Sequence, residues 1–235
     1  MLVIPAINET EFSEVLEKIN IVSKFSRWVH LDVVDGKFAP NITWNNPKDL
    51  ISNFLRQSRE SSTKSGQFPI SKLNIEVHLM AENPEAAIKN WVSAGVKRII
   101  ISLEALLNIG KSDLTNITQF LEVGLPKFEI GLAINPETPV ENLIPFISIN
   151  QRPIKFVLVL GVDPGLAGQK FKDNILEKIK FLKTYYPGVI IEADGGINPE
   201  TAKLIKEAGA DIIVSASYIW ENQNPERAYQ ELAAI

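Results

Sequence analysis

The sequence predicts an α/β fold, a single (β/α)8 barrel spanning residues 1–235. Three observations carry that prediction. Eight short apolar runs recur along the chain, each followed by a longer stretch with helical period. Several runs are apolar at nearly every residue, which is how strands buried on both faces read. The length, 235 residues, suits one barrel of this kind. An open doubly wound sheet is the alternative assembly of the same units. It would carry a glycine-rich turn after its first strand, and PAINETE (5–11) has no glycine.

The elements follow in order. LVIPAI (2–7) is the first strand. In 11–25, Phe12, Val15, Leu16, Ile19 and Val22 fall on one helical stripe. WVHLDVV (28–34) is the second strand. The polar, Ser-rich stretch 56–72 then breaks the rhythm. It reads as a loop insertion with a solvated basic face and not as a domain boundary, because the alternation resumes at once in LNIEVHLM (73–80). AGVKR (94–98) ends a helix on glycine and leads straight into the fourth strand, VKRIIIS (96–102). FEIGLAI (128–134) and IKFVLVLGV (154–162) are the fifth and sixth strands. Ile175, Ile179 and Leu182 mark the next helix, ahead of VIIEADGG (189–196). Asn198 is a good N-cap, Pro199 suits the first helical position, and Gly209 closes that helix before ADIIVSAS (210–217).

Composition narrows the chemistry. Hydrophobic residues at 45% and charged residues at 22% exclude a disordered chain. A balance of 24 basic against 28 acidic residues argues against a nucleic-acid partner. No run approaches the ~18 apolar residues of a membrane span, and the N-terminus lacks the basic start of a signal peptide. A cytoplasmic protein without a membrane partner is therefore expected. Cysteine is absent, which excludes disulfide scaffolds and thiol nucleophiles. Only His30 and His78 supply imidazole, so a transition-metal site must combine them with carboxylates.

Active sites of such barrels lie where strands end. The second strand carries His30 and Asp32, two apart and so on one side of it. The third carries His78, and the seventh ends in Asp194. Two imidazoles and two carboxylates suit Zn2+, Mn2+ or Fe2+ with positions left open for a substrate. Taken alone, each histidine reads better as a hydrogen-bonded core or surface residue, but both histidines of the chain fall at strand ends of one barrel mouth. Small residues also cluster in three consecutive loops: Gly165, Leu166, Ala167 and Gly168 after the sixth strand, Gly195 and Gly196 after the seventh, Ala216 and Ser217 after the eighth. Converging backbone N–H groups there would bind phosphate. Any one of these loops could equally be an ordinary tight turn. Trp28, Trp91 and Trp220 read as packing residues, and Trp44 is a candidate for a lid over the site. Asp35 and Gly36 shape the turn after the second strand, and Glu104 stands at the end of the fourth strand.

WVHLDVVDGKFAPNITW (28–44), IEVHLMAENPE (75–85), GLAINPETP (131–139), VDPGLAGQKF (162–171) and IEADGGINPETA (191–202) resemble the successive signatures of the ribulose-phosphate 3-epimerase family. The resemblance runs in order over nearly the whole chain. It implies a TIM barrel of the ribulose-phosphate-binding type that interconverts D-ribulose 5-phosphate and D-xylulose 5-phosphate at C3. It also implies one divalent metal ion (Zn2+, Fe2+, Mn2+ or Co2+) held by His30, Asp32, His78 and Asp194. Asp32 and Asp194 would be the two acid/base residues, passing a proton through a metal-stabilised enediolate. Met80 would line the pocket, the three small-residue loops would bind the substrate phosphate, and the chain would form a homo-oligomer. Only this resemblance, through the family's Glu-Ala pair, would turn Glu104 to the site.

The chain also departs from the family pattern. Ala6 stands for a serine, Val34 and Leu160 for methionines, Ser102 for a histidine and Ala216 for a glycine. These departures leave open an epimerase for a different ketose phosphate, or a catalytically silent sugar-phosphate-binding barrel. A decarboxylase on the same barrel is disfavoured. It would carry an Asp-x-Lys-x-x-Asp array, and Leu31-Asp32-Val33-Val34-Asp35 has valine at the lysine position.

Overall fold

The fold is seen in a computed structural model that describes residues 1–52, 73–108, 128–148 and 153–235. The polar insertion expected at 56–72 lies outside the described residues. Eight parallel strands close into a ring in chain order: β1 (Leu2–Ile7), β2 (Trp28–Val34), β3 (Asn74–Met80), β4 (Arg98–Ser102), β5 (Glu129–Ile134), β6 (Phe156–Leu160), β7 (Ile190–Asp194) and β8 (Ile212–Ser215).

The helices on the outside include α1 (Phe12–Val22), α2 (Pro84–Ser93) and α3 (Leu103–Asn108). After β5 the described residues make only a 3-10 turn (Val140–Leu143) and a single helical turn, α4 (Ile144–Ile147). The regular helix expected there is shortened in a stretch punctuated by Pro136, Pro139 and Pro145. The ring of helices continues with α5 (Ile175–Tyr185), α6 (Pro199–Ala208), α7 (Ser217–Trp220) and α8 (Pro225–Ala233). The cap on α6 forms as its sequence implies. Asn198 accepts from the backbone N–H groups of Glu200 and Thr201, Thr201 returns a bond to the Asn198 N–H, and Gly209 stops the helix at φ 106°. Sequence reasoning missed α8. Its signals were Asn224 before Pro225 and the inward pair Ala228 and Leu232.

Strand alternation explains the apolar runs and places the polar exceptions. Successive side chains point to opposite faces of a strand. One set, including Val3, Ile7, Val29, Leu31, Val33, Ile75, Val77 and Leu79, packs outward against the helices. The other set, including Ile4, Ala6, Ile100, Leu158, Leu160 and Val214, fills the barrel. Both cores need apolar residues, so most strand positions are apolar. The polar residues of β2, β3 and β7 all share the inward parity: His30 and Asp32, Glu76 and His78, Glu192 and Asp194.

Trp44 corrects one expectation. It is buried at 8% exposure, stacked on Phe12 at 5.0 Å and edge-on to Trp91 at 5.6 Å. An aromatic side chain contributes most where it is desolvated, and here it anchors the β2 loop to the helix layer instead of covering the site.

A candidate metal and sugar-phosphate site

The site stands at the C-terminal end of the strands. Register sets Asp32 beside His78 across β2 and β3, and Leu160 beside Asp194 across β6 and β7. The ring then brings β2, β3 and β7 to one mouth. Ligand atoms of His30, Asp32, His78 and Asp194 all lie within 4.8 Å of one another. Asp32 Oδ1 is 3.3 Å from His30 Nε2 and 3.6 Å from His78 Nδ1. Both imidazoles are fully buried.

Three of these atoms, His30 Nε2, Asp32 Oδ1 and His78 Nδ1, are buried without a hydrogen-bond partner. Unsatisfied buried polar atoms are costly, and three converging on one point fit a cation. The donor set of two nitrogens and two carboxylates suits a divalent transition metal. Ser102 prepares His78 for that arrangement. Its hydroxyl has a single proton and lies 3.4 Å from the Leu79 carbonyl and 3.2 Å from His78 Nε2. A hydroxyl that donates to the carbonyl can accept an Nε2–H, the pairing that would leave His78 Nδ1 bare toward the centre. Ser102 thus touches a residue of the ligand cluster.

The two carboxylates differ in environment. Burial pushes the Asp32 carboxyl up, but the imidazoles of His30 and His78 outweigh it and hold the group far below the usual carboxylate range. Burial, with the charge of Asp32 second, pushes Asp194 up to about 7. Neighbouring acids with separated pKa values are the usual arrangement of an acid/base pair.

Above the cluster opens a pocket. Met80 and Leu160 line it beside Asp32 and Asp194, as do Gly165, Leu166, Ala167, Gly168, Gly195, Gly196, Ala216 and Ser217. The three loops singled out in the sequence thus meet in one place. Gly195 (φ 100°) and Gly196 (φ 69°) hold backbone conformations that favour glycine. A Cβ on Gly196 would fall 2.9 Å from the backbone nitrogen of Phe171. Asn41 ties the β2 loop to the β6 loop by donating to the Gly165 carbonyl at 2.6 Å. Asp35 shapes the same loop, accepting from the N–H groups of Lys37, Phe38 and Glu82. Partial burial pushes its carboxyl up, and those three donors outweigh that and hold it below the ordinary range.

Other residues complete the surroundings. Val34 packs with Ala39 and Met80. Ala6 is fully buried at the mouth end of β1. Glu104 accepts from the Asn135 N–H and the Thr138 hydroxyl, so one of its oxygens braces the β5 loop. Sequence reasoning missed Asn8, a half-buried pocket residue two residues beyond Ala6. Its position just past the first strand was the available signal.

A family profile described as "Ribulose-phosphate 3 epimerase family" matches residues 2–220. The chain belongs to the ribulose-phosphate 3-epimerase family. It is accordingly a carbohydrate epimerase. A ribulose-phosphate 3-epimerase of Bacillus subtilis is 31% identical over 236 residues, covering 98% of this chain and 97% of that one. One of Candida glabrata is 29% identical over 231 residues, covering 95% and 87%. Among solved structures, orotidine 5'-phosphate decarboxylase from Pyrococcus horikoshii covers all of both chains with a TM-score of 0.63. At 16% identity that likeness concerns the barrel alone. Among the epimerase's described residues, no helix is long and apolar enough to cross a membrane.

Proposed function

We propose that this site interconverts D-ribulose 5-phosphate and D-xylulose 5-phosphate, with Asp32 and Asp194 exchanging the C3 proton. The observation that carries the reading is the convergence of these two carboxylates, from strands well apart in the ring, on a pocket lined by small-residue loops. Epimerising a carbon beside a carbonyl requires one group to take its proton and another to return a proton on the opposite face. Asp32 is the base in one direction and Asp194 the acid, and the roles reverse for the return reaction.

His30, Asp32, His78 and Asp194 would hold a divalent cation. When bound, it supplies Lewis-acid stabilisation of the negative charge that develops on the substrate's oxygens. Backbone N–H groups of the loops at Gly165–Gly168, Gly195–Gly196 and Ala216–Ser217 bind the phosphate and fix the sugar's orientation. Met80 and Leu160 close the apolar side and exclude water.

A panel of ketose 5- and 6-phosphates offered to metal-reconstituted protein tests the substrate assignment. D-ribulose 5-phosphate is expected to give the highest kcat/KM. Preference for another ketose phosphate would reassign the substrate while keeping the chemistry. Binding without turnover of any sugar would point to the silent barrel.

A further inference from the structure

Below the ligand cluster a second inward layer carries charge. His30, Glu76, Arg98 and Glu129 are successive register partners across β2, β3, β4 and β5. Their side chains are linked in the same order. His30 Nδ1 lies 2.9 Å from Glu76 Oε1. The other oxygen, Glu76 Oε2, accepts from Arg98 Nη1 at 2.5 Å. Arg98 then donates from Nε and Nη2 to Glu129 at 2.9 and 2.8 Å. Its guanidinium is sandwiched between the rings of Phe156 at 3.8 Å and Trp28 at 4.6 Å. Glu76 is fully buried, and Arg98 is 5% exposed. Glu192 is the other carboxylate nearby, at 3.8 Å from His30 Nδ1 and 3.9 Å from Arg98, both beyond hydrogen-bond length.

We propose that Glu76 is a positioning residue for His30: pinned by Arg98, its carboxylate fixes the imidazole in the Nδ1–H form and aims bare Nε2 at the centre of the ligand cluster. An ionised carboxylate only accepts hydrogen bonds, so the proton at this contact belongs to His30. The partner of one imidazole nitrogen decides which nitrogen is free to bind a metal. Arg98 reinforces the choice. It offers only donors, the rings of Phe156 and Trp28 lie against it, and it therefore demands an acceptor oxygen from residue 76. This inference rests on the metal reading above for its purpose, but not for its geometry.

Glu76→Gln separates positioning from mere packing, because Gln is nearly isosteric. Its amide oxygen must turn to Arg98, which leaves the NH2 facing His30. His30 then accepts at Nδ1 and carries its proton on Nε2, where the metal should bind. Zinc affinity, measured by competition with a chromophoric chelator, is expected to fall about 10–100-fold. Adding Arg98→Met frees the amide to turn back, and the double variant is expected to recover most of that loss. A purely structural role predicts that the second core substitution makes matters worse.

The chain has two histidines, so long-range proton–nitrogen spectra assign both rings without ambiguity. Wild-type protein at alkaline pH is expected to show His30 protonated at Nδ1 and His78 at Nε2, with and without zinc. Wild-type His30 carrying its proton on Nε2 overturns the proposal even if no variant folds. So does a folded Glu76→Gln protein that binds zinc within about twofold of wild type. If wild-type protein takes up no zinc, the metal reading fails, and the metal-free spectrum still decides the tautomer.

Discussion

Asp32→Asn and Asp194→Asn each lower turnover by about 10²–10⁴-fold, the usual contribution of a positioned acid or base. The amide keeps the shape of the carboxyl and can neither take nor deliver the C3 proton. Both side chains stand at strand ends facing the pocket, outside the packed layers of the barrel, so the variants should retain wild-type circular dichroism and a cooperative melt. The two substitutions should cost similar amounts, because a two-base reaction stops when either group is missing. Combining them should add little, since residues acting as a unit are not additive. Turnover near wild type in either folded variant contradicts the two-base assignment.

Stripping divalent cations with a chelator removes activity, and Zn2+, Mn2+, Fe2+ or Co2+ restores it to differing degrees. Lewis-acid stabilisation is worth several kcal/mol, so the loss should reach at least about 10²-fold. His30→Ala and His78→Ala each remove one of the two imidazole donors and should release the cation at concentrations where wild-type protein retains it. The three unpartnered buried atoms of the cluster locate the effect. Elemental analysis of the stripped protein supplies the control. Full activity without metal refutes the cation's role, and a histidine variant that keeps its metal tightly refutes the ligand set.

Much of this site was legible because the barrel imposes alternation. Strands with two apolar neighbours leave few places for polar groups, so His30, Asp32, His78 and Asp194 stood out as exceptions in otherwise apolar runs. Their shared parity then put them inside the barrel. The loops that line the pocket were legible from small residues at three consecutive strand ends. Cross-strand partnership was not legible. Ser102 read as a lost histidine, yet its hydroxyl meets His78, 24 residues away in sequence. Nothing in the sequence pairs Glu76 with Arg98; register sets them side by side. Trp44 misled because loop position alone does not report burial; Phe12 and Trp91, distant in sequence, decide it. The shortened helix after β5 has a similar cause, since prolines fix local backbone while the packing decides how much helix remains.

The most direct test is to incubate metal-reconstituted protein with D-ribulose 5-phosphate in D2O and follow C3 by proton NMR. Transfer between Asp32 and Asp194 predicts that D-xylulose 5-phosphate forms with deuterium at C3, and that Asp194→Asn abolishes its formation. Substrate recovered with its original C3 proton, and no epimer, would contradict the proposed reaction.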